Sequence, residues 1–470
     1  MQKSDIGIIG MAVMGQNLAL NVENKGFSVS VYNRTGSRTK KFIEERAKDK
    51  AITATYSLDD FVKSLKRPRK VLLMIKAGEA VDSFIEKLVP LLAEGDIIID
   101  GGNSHFKDTE RRYRKVKGKG LLYLGTGISG GEYGALFGPC IMPGGDIEAY
   151  SQLEDIFVKI AAHTEDGPCC SYLGPTSAGH YVKMVHNGIE YAVMQIIAES
   201  YHLMRNNLNM EIDEIQKVIQ EWNSSELNSY LIEITEDILS KKDDFTGKPL
   251  VEMILDKAEQ KGTGKWTSQS ALDLGVPIPT ITSAVDARIL SSFKELRVSL
   301  SAKLKGETGE EKVEKESFLH HLKNACYASI LLSYIQGMHL LFVASGEFGY
   351  SLNLSEVARI WKGGCIIRAK VLNLIKDVYT KYPNLSNLLL ADEILNVLNE
   401  RILSLRKVTI QAKKWGTPTL ALSSSLNYYD SLRTTVLPAN LIQAQRDYFG
   451  AHKYERIDKE GSFHTKWKNY

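Results

Sequence analysis

Cysteine is scarce: five residues in 470, Cys140, Cys169, Cys170, Cys326 and Cys365, an odd number with no C-x-x-C spacing. That pattern fits neither a disulfide framework nor a zinc site, and it leads us to expect a reducing compartment. Net charge is nearly absent as well, +3 from 59 basic and 56 acidic side chains. No whole-molecule field therefore selects nucleic acid or an anionic membrane as partner. The basic runs Arg67-Pro68-Arg69-Lys70 and 111–119 are short enough to read as solvated faces. No apolar stretch is expected to reach the roughly 20 residues of a bilayer span. A strand-like run begins at Ile6, too close to Met1 for a leader peptide to be expected ahead of it, so a cytoplasmic location is the expectation. What the chain does have is 43% hydrophobic residues, enough for a sizeable core divided over two or three domains.

From Ile6 to about Ser177, short β-branched runs alternate with helical patterns, the signature of a parallel sheet covered by helices. The expected strands are Ile6–Ile9, Val29–Tyr32, 71–75 and 97–99, each ending in polar or glycine-rich residues. In a doubly wound sheet ligands sit outside those carboxyl ends. After Gly179 the apolar spacing becomes helical through to about Tyr429. The fold class is thus an α/β Rossmann-like dinucleotide-binding domain (1–177), a large all-α domain (178–436) and a short carboxyl-terminal tail (437–470). Trp222 and Trp361, 139 residues apart, are each followed by small or polar residues and an apolar helical run. This hints at a duplicated helical unit, with chance similarity of two amphipathic helices as the alternative. The charged segment 302–316 reads as a solvated loop. The tail carries more aromatic and basic side chains than a disordered end should.

The first strand runs into Gly10-Met11-Ala12-Val13-Met14-Gly15 and then a helix expected to reach about Lys25. This matches the dinucleotide fingerprint, with Ala12 for its middle glycine, the smallest departure where backbone must approach a pyrophosphate. Taken alone, the run also fits a tight strand-to-helix turn without a ligand. The next strand ends in Asn33-Arg34-Thr35, where an NAD-selective site commonly carries an acidic residue. Arginine and threonine suit a 2′-phosphate instead, by charge-assisted hydrogen bonds and a hydroxyl donor; a surface arginine in a loop is the plainer reading. Lys76-Ala77-Gly78 and Asp100-Gly101-Gly102-Asn103-Ser104 end two further strands and would border the nicotinamide.

Lys183, His186, Asn187, Glu190 and Tyr191 fall at i, i+3, i+4, i+7 and i+8 and share one helix face. Flanked by Val182, Met184, Val185, Ile189, Ala192 and Val193, this polar stripe is costly to bury unless it lines a cavity or meets charged partners. A solvated amphipathic face is the alternative. Lysine and glutamate there offer a base and an acid, provided burial or neighbours shift them toward working pH. Gly127-Ile128-Ser129-Gly130-Gly131 can bring amide hydrogens to a carboxylate. Lys261-Gly262-Thr263-Gly264-Lys265-Trp266 reads as an anion site but lacks the P-loop spacing.

Together the stretches 128–132, 183–191, 260–266 and 443–452 resemble the 6-phosphogluconate dehydrogenase family, and the resemblance runs through most of the chain. It implies NADP as cofactor, contacted by Asn33, Arg34, Thr35 and Lys76, with Asn103 between cofactor and sugar acid. It implies that Ser129, Gly130, Gly131, His186 and Asn187 bind the carboxylate and hydroxyl end of 6-phosphogluconate. Tyr191, Lys261, Thr263 and Arg288 would hold its phosphate, and Arg446 and His452 would reach the neighbouring subunit's site in a homodimer. Lys183 would act as base and Glu190 as acid in oxidative decarboxylation to ribulose 5-phosphate, without a metal, within the pentose phosphate pathway and gluconate utilisation. Two alternatives stand beside this reading. One is a hydroxyacid dehydrogenase that stops at hydride transfer, for which a phosphate clamp has no clear use. The other is a non-catalytic NADP-binding paralogue, in which Lys183 or Glu190 should be lost.

Overall fold

A computed structural model describes residues 3–306, 309 and 312–468. Short β-branched tetrads, covered on both faces, form the strands β1 (Ile6–Ile9), β2 (Val29–Tyr32), β3 (Ile52–Thr55), β4 (Lys70–Leu73) and β5 (Ile97–Asp100). Two further strands, β6 (Leu122–Ser129) and β7 (Cys140–Gly145), complete a seven-stranded sheet of order β3-β2-β1-β4-β5-β6-β7. All neighbours are parallel except the β6–β7 pair. The order turns back between β1 and β4, where Gly7 lies opposite Val71 and Ile9 opposite Leu73. That reversal opens a crevice at the carboxyl ends of the strands.

The run expected as strand 71–75 is ordered as Lys70–Leu73, and the 97–99 run extends to Asp100. Strands β6 and β7 were not expected, because Gly125, Gly127 and Pro143 lower their strand propensity. Proline is tolerated in β7 because it is the edge strand. The glycines have a packing purpose. The helix Ala178–His202 lies directly on β6 and β7, and a Cβ on Gly127 would stand 2.4 Å from the Cβ of Lys183. A Cβ on Gly179 would stand 2.2 Å from the carbonyl oxygen of Met142.

Beyond this helix the elements are helical until the small hairpin Tyr454–Glu455 with Ser462–Phe463. The core of the helical part is built on Ala178–His202 and the 34-residue helix Lys315–Phe348. Contrary to the sequence expectation, Lys315–Phe348 is long and apolar enough to cross a membrane, but 83% of its most apolar window is buried inside the protein. It serves as a core helix.

The two tryptophans occupy equivalent places. Each closes a shorter helix, Ile212–Asn223 or Leu354–Ile360, that follows one of the long helices and precedes a packed partner, Tyr230–Ser240 or Val371–Lys381. The two turns pair with each other reciprocally, Tyr230 N–H donating to Arg368 at 3.0 Å and Lys370 N–H to Asn228 at 2.9 Å. The 139-residue spacing therefore has a structural counterpart.

In the charged segment, residues 307, 308, 310 and 311 lie outside the described residues, and helix begins already at Lys315. The basic runs are only partly solvated faces. Arg112 is fully buried, and Arg69 pairs with buried Asp96 at 2.8 Å. The tail forms a helix, Ala439–Gly450, that exposes Leu441, Ile442, Tyr448 and Phe449.

Candidate active site

At the switch point a crevice of about 600 Å³ is lined by Gly10, Ala12, Val13, Met14, Asn33, Arg34, Thr35, Lys76 and Asn103, nine of the twelve expected cofactor residues. Gly10 has φ +107, and a Cβ there would sit 2.3 Å from the Met74 carbonyl oxygen, so only glycine fits the turn. The helix Val13–Asn24 starts without a side-chain cap. Its leading N–H groups are therefore free for a phosphate. Met11, Gly15 and Ala77 lie behind or beside this wall. Buried Met11 donates its N–H to Asn33 Oδ1 at 3.1 Å, which ties the fingerprint turn to the end of β2. Gly15 lets the helix abut the Gly10 carbonyl, 1.8 Å from where a Cβ would be. Arg38, not singled out in the sequence, lines the same crevice beside exposed Arg34 and Thr35. Two guanidinium groups, a hydroxyl and no carboxylate at that end fit a dinucleotide with a 2′-phosphate.

The crevice is supported from behind by a network that sequence reading missed. Asp100, fully buried, accepts from Gly102 N–H (3.2 Å), Ser104 Oγ (2.7 Å), Tyr123 OH (3.2 Å) and Arg112 Nη1 (3.3 Å). Arg112 also forks onto both oxygens of Asp82, at 3.0 and 2.8 Å. The arginine holds the Asp82 carboxyl far below the usual carboxylate range. Asp100 and Arg112 thereby fix the loop that presents Asn103.

At the end of β6, Lys183 Nζ lies 2.5 Å from Asn187 Oδ1 and 3.3 Å from both Ser129 Oγ and His186 Nδ1. His186 Nε2 meets Ser129 Oγ at 3.3 Å, and its Nδ1 stands 4.0 Å from Glu190. The helix is buried over most of its length, and Lys183, His186 and Asn187 are satisfied by one another and by Ser129 at the end of β6. Burial lowers the Lys183 pKa from its ordinary value, partly opposed by Glu190. Burial raises that of Glu190, partly opposed by Lys183 and Arg288. Burial biases both groups toward their neutral forms, the direction in which an amine can accept a proton and a carboxyl on the same helix face can donate one. Burial, with Lys183 beside it, drives His186 well below its usual pKa.

Gly130 (φ +115) and Gly131 (φ +62) turn the chain from Ser129 into the helix Gly131–Phe137, which starts without a side-chain cap. Of the residues expected at the phosphate end, Tyr191 and Arg288 meet, and Thr263 opens a helix packed on the Tyr191 ring. The Arg288 guanidinium lies 3.5 Å over the Tyr191 ring. A Cβ on Gly264 would touch that ring at 2.5 Å, which seats the helix Thr263–Asp273 against it. Lys261 is exposed on the loop ahead of that helix.

Two family models match the chain, the NAD binding domain of 6-phosphogluconate dehydrogenase over residues 5–174 and the 6-phosphogluconate dehydrogenase C-terminal domain over 179–467. The chain belongs to the 6-phosphogluconate dehydrogenase family. Among its relatives, the NADP(+)-dependent, decarboxylating 6-phosphogluconate dehydrogenase of Bacillus subtilis is 54% identical over 468 residues, covering 99% of this chain and 100% of the relative. The NAD(+)-dependent, decarboxylating enzyme of the same organism is 50% identical over 465 residues, covering 99% of each. A solved Plasmodium falciparum 6-phosphogluconate dehydrogenase, described in apo form, with its cofactor NADP+ and with its substrate 6-phosphogluconate, superposes with a TM-score of 0.95. It is 46% identical and covers 98% of this chain and 100% of its own.

Against this 6-phosphogluconate dehydrogenase framework, two expected residues keep to their own segment. Arg446 donates to Gln443 at 3.1 Å, and His452 meets Phe449 edge-on at 5.9 Å. Both are exposed.

Proposed function

We propose that this chain oxidatively decarboxylates 6-phosphogluconate to ribulose 5-phosphate with NADP. The observation that carries the reading is buried Lys183 beside Ser129, His186 and Asn187, with Glu190 on the same helix face. Overall likeness does not choose the cofactor, since the NADP- and NAD-dependent B. subtilis relatives are 54% and 50% identical. Arg34, Thr35 and Arg38 support NADP.

When bound, NADP supplies the hydride acceptor. Lys183, biased toward the free amine, takes the proton of the C3 hydroxyl. Its ammonium then hydrogen-bonds the C3 carbonyl oxygen of the β-keto acid and draws electron density there as carbon dioxide leaves. Glu190, biased toward the neutral acid, protonates the carbon that lost the carboxylate, which becomes C1 of the product. Ser129, Gly130, Gly131, His186 and Asn187 hold the carboxylate and hydroxyl end, and Asn103 bridges cofactor and sugar acid. Tyr191, Lys261, Thr263 and Arg288 hold the phosphate, joined by Arg446 and His452 from the second subunit of a homodimer. The exposed apolar side chains of the tail helix support such an interface. The working units are 1–177, 178–436 and 437–470, in a cytoplasmic enzyme of the pentose phosphate pathway.

A dehydrogenase that stops at hydride transfer would leave the anion-receiving end without a use, and a non-catalytic paralogue would not keep Lys183 and Glu190. The test is incubation with 6-phosphogluconate and NADP, following NADPH absorbance and carbon dioxide together. Equal release of both supports the reading; NADPH without carbon dioxide, or neither, overturns it.

A further inference from the structure

Among the residues of the tail helix Ala439–Gly450, the one buried side chain is a carboxylate. Asp447 is 0% exposed. Its Oδ1 accepts the Lys453 N–H and His464 Nδ1, both at 2.9 Å, and its Oδ2 accepts the Thr465 N–H at 3.0 Å and the Trp467 indole N–H at 2.8 Å. Four donors from residues 453–467 thus converge on one acceptor-only group. The Gln443 amide adds a second tie, donating to the Lys453 carbonyl at 2.6 Å.

These bonds enclose a strained turn. Ala451 (φ 50) and Lys453 (φ 64) both take left-handed backbone, which non-glycine residues disfavour. The Lys453 N–H bond to Asp447 holds that turn closed. His452 lies inside it, its ring folded over Gly450, where a Cβ would stand 2.5 Å from Nε2. Gly450 is one helical turn beyond Arg446, so Arg446 and His452 share a face. Asp447, the next residue along, points about 100° away toward the hairpin.

We propose that Asp447 is a positioning residue for the substrate site: without touching substrate, it locks the tail so that Arg446 and His452 reach the second subunit as one preformed unit. This rests on the shared-site reading above. Asp447→Asn puts an amide donor against two of the four N–H groups, and the expected result is a KM for 6-phosphogluconate raised at least about tenfold. The KM for NADP and the dimeric state should stay as in the parent. Trp467→Phe, which removes one donor and keeps the carboxylate, should raise the same KM about threefold or more. If Asp447→Asn fails to fold or dimerise, Trp467→Phe decides alone. A substrate KM within about twofold of the parent overturns the proposal.

Exchanging subunits locates the effect. At 6-phosphogluconate well below the raised KM, a mixture of Asp447→Asn and Lys183→Met should be more active than the two proteins kept apart, since one site of each mixed dimer has neither defect. The control mixture is Arg446→Ala with Lys183→Met. Recovery in the control alone means that Asp447 acts within its own subunit, and the proposal is wrong. Recovery in neither mixture sinks the shared-site reading, and the proposal falls with it.

Discussion

Replacing Arg112 with methionine keeps most of the side-chain volume and removes every hydrogen bond the guanidinium makes. Three of its nitrogens serve Asp82, Asp100, Ser104 and the Gly78 carbonyl, at distances from 2.8 to 3.3 Å, and the side chain is fully buried. Asp82 is partly exposed and can turn to water. Asp100 cannot, because its side chain is fully buried. Leaving a buried carboxylate without its cation costs about 3–5 kcal/mol. With a urea slope of about 2 kcal/mol per M, the midpoint for the sheet-bearing part should fall by about 2 M. Circular dichroism is the suitable probe, since all five tryptophans lie beyond residue 221. The double variant Arg112→Met, Asp100→Asn should regain at least half of the loss, because the uncompensated charge is gone. A midpoint shift below about 0.5 M in the single variant, or no recovery in the double, would refute the buried-charge argument.

Arg34→Asp places an anion beside the 2′-phosphate subsite and should lower the NADP-to-NAD efficiency ratio by about tenfold or more; an unchanged ratio removes Arg34 from that subsite. Lys183→Met should reduce turnover by about 10²–10⁴-fold while substrate binding survives in part, and near-parental turnover would show that another group is the base. The pH–rate profile should be bell-shaped, because the free amine of Lys183 grows and the protonated form of Glu190 declines as pH rises. Burial brings these opposed titrations toward each other from their ordinary values. Glu190→Gln should slow product formation and delete one limb of the bell, so a variant profile that keeps both limbs assigns the acid elsewhere.

The polar stripe on the helix Ala178–His202 was legible because its spacing is local: 183, 186, 187, 190 and 191 fall on one face whatever the tertiary structure. The fingerprint turn and the strands β1, β2 and β5 were legible for the same reason, as β-branched runs with glycine or polar ends. Strands β6 and β7 were not, since their glycines answer to a helix more than thirty residues away in sequence. Arg112 was hidden inside a basic run that looked solvated, and its partner Asp100 lies on a separate element. Arg38 sits four residues past Arg34 and carries no local mark beyond its charge. The tail read as more than a disordered end, yet nothing in its spacing revealed that Asp447 gathers donors from up to twenty residues downstream.

The glycine contacts between the sheet and the Lys183 helix leave no slack. Because a methyl group on residue 127 would come within 2.4 Å of the Lys183 Cβ, the proposed base is held against β6, whose Ile128 lines the crevice. The depth at which Lys183 sits is therefore set by the sheet before any ligand arrives. A single added methyl at 127 would push the base back by about 1 Å, a displacement that costs about a hundredfold in rate when reacting groups are otherwise intact.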